Sequence, residues 1–103
     1  MINITMPSRT ITDSAAELLP QNMLRKSFIV QNEDAAINVF ISFEKPNNTT
    51  VSTTSHDHRI APGGSIAVNT DTDGKEQITE RITIIAASGT PLVSFFETEE
   101  NRR

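Results

Sequence analysis

The sequence predicts an all-β domain, an antiparallel β-sandwich of jelly-roll type or a small barrel, built from about seven to eight short strands. Three observations carry that expectation. In residues 36–43, Ile37, Val39, Ile41 and Phe43 alternate with Asn38, Phe40 and Ser42 at period two, the signature of a half-buried strand. Ala61-Pro62-Gly63-Gly64 combines a fixed φ with residues that accept positive φ, which forces a tight reversal. Further β-prone runs lie between turn signals along the chain, and no internal repeat is present.

In chain order, residues 1–8 alternate Ile2, Ile4 and Met6 before Pro7, as either an edge strand or an arm that pairs only with a partner. Residues 9–12 are β-prone. Residues 15–19 have the propensity for one helical turn behind Asp13 or Ser14, but so short a helix is marginal, and extended structure up to Pro20 is expected. Residues 27–32 and 36–43 read as an antiparallel hairpin turned by Glu33-Asp34-Ala35. Residues 44–55 are polar and read as an exposed loop, residues 56–60 and 65–69 as strands flanking the Pro-Gly-Gly turn. A charged turn over 70–77 precedes the longest run, 78–87, in which Ile78, Ile82 and Ile84 share a face. Ser88-Gly89-Thr90-Pro91 is a second sharp turn, 92–97 the last strand, and the charged residues to Arg103 a tail. One domain over 9–97, flanked by an arm (1–8) and a tail (98–103), is the expected organisation.

Composition bounds the function. An apolar fraction of 36% allows one modest core, so association with copies of itself or with a scaffold would add burial. The net charge of −4, without a cluster of Lys or Arg before Arg102-Arg103, argues against nucleic acid, and the lack of Trp and Tyr argues against base stacking. Zero Cys removes disulfides, thiolate nucleophiles and Cys-based zinc sites. No charged-then-apolar leader opens the sequence and no apolar run has the length of a membrane span, so a soluble chain in the compartment of its synthesis is expected.

Catalytic and metal-binding patterns are weak. His56-Asp57-His58 places two imidazoles at i and i+2, the same face of a strand, but two ligands are too few for a metal site. Asp71-Thr72-Asp73-Gly74 resembles the opening of a calcium loop, yet Lys75 follows where oxygen ligands are needed. The carboxylate pairs Asp71 with Asp73 and Glu99 with Glu100 lie in hydrophilic segments that leave them solvated. No Ser stands in a Gly-x-Ser-x-Gly elbow, and the Pro-Gly-Gly turn joins strand to strand with no helix behind it to cradle phosphate. The expectation is a protein that is not an enzyme and that takes no cofactor or metal.

Contact surfaces are the remaining candidates. If Val39 and Ile41 point inward, Phe40 points away, and Ile85 does so beside Ile84. Such residues are covered either by the chain itself or by another subunit. The candidate interface comprises Ile2, Ile4, Met6, Phe40, Ile85 and Phe95.

Asn22-Met23-Leu24-Arg25, then Phe28-Ile29-Val30-Gln31-Asn32, then Asn38-Val39-Phe40-Ile41-Ser42-Phe43, then Ile60-Ala61-Pro62-Gly63-Gly64-Ser65 together resemble an order of turns and strands found in small virion proteins of tailed bacteriophages. The resemblance spans roughly residues 9–97 and carries no catalytic signature. It implies a β-sandwich module attached to the capsid exterior as a decoration or cement protein, made in the host cytoplasm, with the major capsid protein as partner and a homo-oligomeric state, dimer or trimer. The alternative it leaves open is a tail or fibre module that recognises host glycans through the 44–55 loop. Arg25, Gln31, Asn32 and the Pro-Gly-Gly turn also have plain structural uses, as a brace on carbonyls, a strand end and a reversal.

Overall fold

The structure is a computed structural model that describes residues 7–44, 51–69 and 79–99. Among them are eight strands: β1 (Ser8–Thr10), β2 (Ala16–Leu19), β3 (Arg25–Asn32), β4 (Val39–Glu44), β5 (His58–Ile60), β6 (Ser65–Asn69), β7 (Arg81–Ala86) and β8 (Leu92–Glu99). They form two four-stranded antiparallel sheets, ordered β1-β8-β3-β6 and β2-β7-β4-β5. Pairing is nested about the middle of the chain: β4 meets β5, β3 meets β6, β2 meets β7, and β1 meets β8.

Alternation decides which side chains meet. Phe28 and Val30 on β3, Val39, Ile41 and Phe43 on β4, Ile82, Ile84 and Ala86 on β7 and Val93 on β8 join one buried apolar cluster to which both sheets contribute. Phe28 of the first sheet meets Phe43 of the second edge to face, with ring centroids 5.8 Å apart. On β2 the neighbours Leu18 and Leu19 are both buried, which strict alternation forbids. A register shift between Glu17 and Leu19 accounts for it, because the extra residue of a bulge brings the second leucine onto the core side.

The hairpin expected from residues 27–32 and 36–43 is not formed. β3 pairs with β6 and β8, and β4 with β5 and β7, so the two strands belong to different sheets. The polar link that suggested a hairpin turn instead carries the chain from one sheet to the other. The buried side chain of Asn32 donates to the carbonyls of Ile37 (2.7 Å) and Ile60 (3.1 Å) and accepts from Asp34 N–H, while the Asp34 carboxylate accepts from Ala36 N–H and Ile37 N–H. These bonds, local apart from the one to Ile60, stand where a hairpin would need its ladder. Periodicity marks the faces of β4 correctly; it carries no information about which edge meets which.

The Pro-Gly-Gly segment makes the expected reversal. Gly64 N–H donates to Ala61 O at 2.8 Å with Gly63 at φ 74°, the geometry of a turn with proline second and glycine third. Gly63 N–H donates to Asn32 O and Asn32 N–H to Gly64 O, so the turn docks on the end of β3. Residues 15–19 are extended, as the shortness of that segment required, and β8 continues through Thr98 and Glu99, which pair with Ser27 and Arg25. The 70–77 turn, Ile78, residues 45–50 of the polar loop and the last residues of the tail lie outside the described residues.

Candidate functional site

Over the middle of its two central strands, the outer side of the second sheet is closed by its own chain. Phe40, Ser42, Thr83 and Ile85 occupy outward positions of β4 and β7, yet none is more than 8% exposed. Val51 packs with Phe40 and Ile85 as a separate apolar cluster, and the His56 ring lies 4.5 Å from that of Phe40. Asp57 fastens this cover: its carboxylate accepts from Phe43 N–H at 2.7 Å and Ser42 Oγ at 3.1 Å, and its own N–H donates to Ile41 O. Replacing Asp57 with alanine removes the acceptor of a strand N–H, with an expected cost of about 1–3 kcal/mol and faster proteolysis within 51–57. Urea unfolding and a timed protease digest check both.

The two histidines do not share a face. His56 precedes β5 and lies tilted against Phe40, which belongs to the outer cluster; His58 lies on β5 with its ring 5.8 Å from Phe43, which belongs to the core. The i, i+2 expectation fails because only His58 is in a strand. Among the described residues no group of three or more His, Asp or Glu gathers to hold a metal ion.

Of the candidate interface residues, Ile2, Ile4 and Met6 lie outside the described residues. Phe40 and Ile85 lie under Val51, as above. Phe95 pairs with Val30 and packs half-buried against the core. Its neighbour Phe96 takes the outward place, in register with Ile29 of β3, which is in turn in register with Ala67 of β6. This row across the first sheet is what sequence reasoning passed over. The signal was present in the doublets Phe28-Ile29 and Phe95-Phe96, since two adjacent apolar residues on a regular strand cannot both face the core.

One end of the molecule is braced by a buried cation. The Arg25 side chain is 0% exposed; Nε donates to Glu97 Oε1 at 2.8 Å, Nη1 to Glu80 O at 2.8 Å and Nη2 to Pro20 O at 2.6 Å. It thereby ties the start of β3 to β8 and to the segments flanking β2 and β7. Asn22 completes the brace, accepting from Leu24 N–H through Oδ1 and donating to the carboxylates of Glu97 and Glu99. Between them Met23 and Leu24 are held out at the turn, Met23 69% exposed. The Arg81–Glu17 pair is half-exposed on both sides and adds little.

Comparison with protein families, with curated proteins and with solved structures gives no match for this chain.

Proposed function

We propose that the two sheets stack as a jelly-roll β-sandwich and that the protein is a structural component of a tailed-phage virion, a decoration or cement protein that binds the outside of the assembled head and bridges major capsid subunits. The strand order carries this reading. In β1-β8-β3-β6 and β2-β7-β4-β5 every connection except β4 to β5 passes between sheets, the arrangement of eight-stranded jelly rolls, which recur in viral coat and lectin domains. A fold hosts many functions, so a second support matters: Arg25, Asn32 and Gly63, within the segments that carry the phage resemblance, brace turns and strand ends here. The likeness is one of scaffold, and a scaffold of this kind acts through contact area.

Attachment repeated over a symmetric lattice adds stability to the shell by mass action, about 2.7 kcal/mol per site when free protein stands at a hundred times its Kd. Purified protein added to tailed-phage heads that lack it is expected to co-sediment to a saturating, lattice-determined copy number and to raise the temperature at which the heads release DNA. Failure to co-sediment, or equal resistance with and without the protein, overturns the proposal.

A further inference from the structure

The two sheets differ in what covers their outer sides. Where 51–57 closes over the middle of the second, the outward positions of the first run in rows: Ser8, Ser94, Gln31 and Ser65; then Phe96, Ile29 and Ala67; then Thr98 and Ser27. Ile29 and Phe96 are only half-buried, Ala67 is exposed, and Leu92, paired with Thr10 on the same side, is 45% exposed. None of these side chains is ionisable, in a chain of which 21% is charged.

Charge appears on this face at its two ends, with opposite sign. At one end the register shift between Arg25 and Ser27 inserts Lys26; Arg25 is buried inward, so the exposed Lys26 stands with Ser27 and Thr98 on the outward side. At the other end Glu33, exposed just past β3, accepts from the outward Ser94 Oγ at 2.8 Å. Along β3 the two are separated by ~23 Å at 3.3 Å per residue, and Ile29 lies near the midpoint.

We infer that this face is a self-association surface, on which a second copy of the chain packs about a two-fold axis running across the strands near Ile29. That rotation turns face to face and reverses the strand direction. It sets Phe96 and Ile29 against their own copies, hydroxyl rows against hydroxyl rows, and Lys26 of each protomer opposite Glu33 of its partner. A chain of net charge −4 is repelled by its copy over most orientations, and this orientation removes the opposition where the surfaces touch. Two eight-residue strands flanked by one of five and one of three, at ~4.8 Å spacing and ~3.3 Å per residue, offer roughly 400 Å² a copy, at the low end for interfaces. The dimer is therefore a weak one, with Kd on the order of 10⁻⁵ M in isolation.

Sedimentation velocity of the full chain over a concentration series from about 1 to 500 μM tests this, with circular dichroism to verify that each variant is folded. A monomer–dimer equilibrium is expected. F96S should raise Kd by about tenfold or more through lost apolar contact, and K26E and E33K each by about three- to tenfold through like charges set face to face. Combining K26E with E33K should return Kd to within about twofold of the parent, because the pair is restored with its signs exchanged. A monomer at every concentration, an association that all three single changes leave untouched, or a double variant no better than the singles overturns the inference. The measurement needs no viral particle, so its outcome and that of the head-binding experiment are independent.

Discussion

Replacing Arg25 with alanine is expected to lower the stability of the folded chain by about 3–5 kcal/mol, a large part of the roughly 5–15 kcal/mol available to a domain. The cost arises from what the guanidinium leaves behind. Its removal strips Glu97 of its ion-pair partner and takes the donors from the Pro20 and Glu80 carbonyls at once. The lysine variant separates charge from shape. An ammonium keeps the positive charge near Glu97 but lacks the planar fork that reaches two carbonyls and a carboxylate together, so it should recover less than half of the loss. Urea unfolding midpoints of the parent, alanine and lysine chains decide the matter. A loss below about 1 kcal/mol for alanine would mean that Arg25 is a bystander.

The second large effect is expected at Asn32, which is 1% exposed where β3 hands the chain to the other sheet. Alanine there leaves the carbonyls of Ile37 and Ile60 without their side-chain donor, at about 1–3 kcal/mol for each group left unsatisfied. Aspartate should be worse than alanine despite its similar shape. It retains the acceptor for Asp34 N–H but sets a carboxylate oxygen against two carbonyl oxygens in a buried place. Thermal unfolding of the two variants side by side gives the ranking, and an aspartate chain as stable as the parent would show that the amide donors contribute nothing.

What was legible in the residues was face, and what was not was partnership. Alternation identified Val39, Ile41, Phe43, Ile82 and Ile84 as a core set because side-chain direction is a local property of extended backbone. Whether β3 lies beside β4 or in the other sheet is set by its pairing with β6 and β8, contacts across long stretches of chain that no local pattern records. The same holds for Phe40 and Ile85. Their outward direction was readable, but their cover came from Val51, in a loop whose polar composition pointed to exposure, and from His56, which the sequence placed in a strand. The apolar row of Phe96 and Ile29 was within reach of the sequence, since strict parity on β8 assigns Phe95 and Phe96 to opposite sides once Val93 is placed inward.

The nested pairing, in which β4 meets β5 and β1 meets β8, orders events in time as well as in space. Formed on its own, each pair outward from the middle closes a longer loop than the one inside it, so closure costs least at β4–β5. Folding that starts at β4–β5 proceeds like a zip toward the termini, and a nascent chain still missing β8 cannot yet shield β1 or β3 along their edges. Strand-rich topologies of this kind fold on the ms–s scale, and the edges that β8 covers on β1 and β3 stay open until β8 is in place.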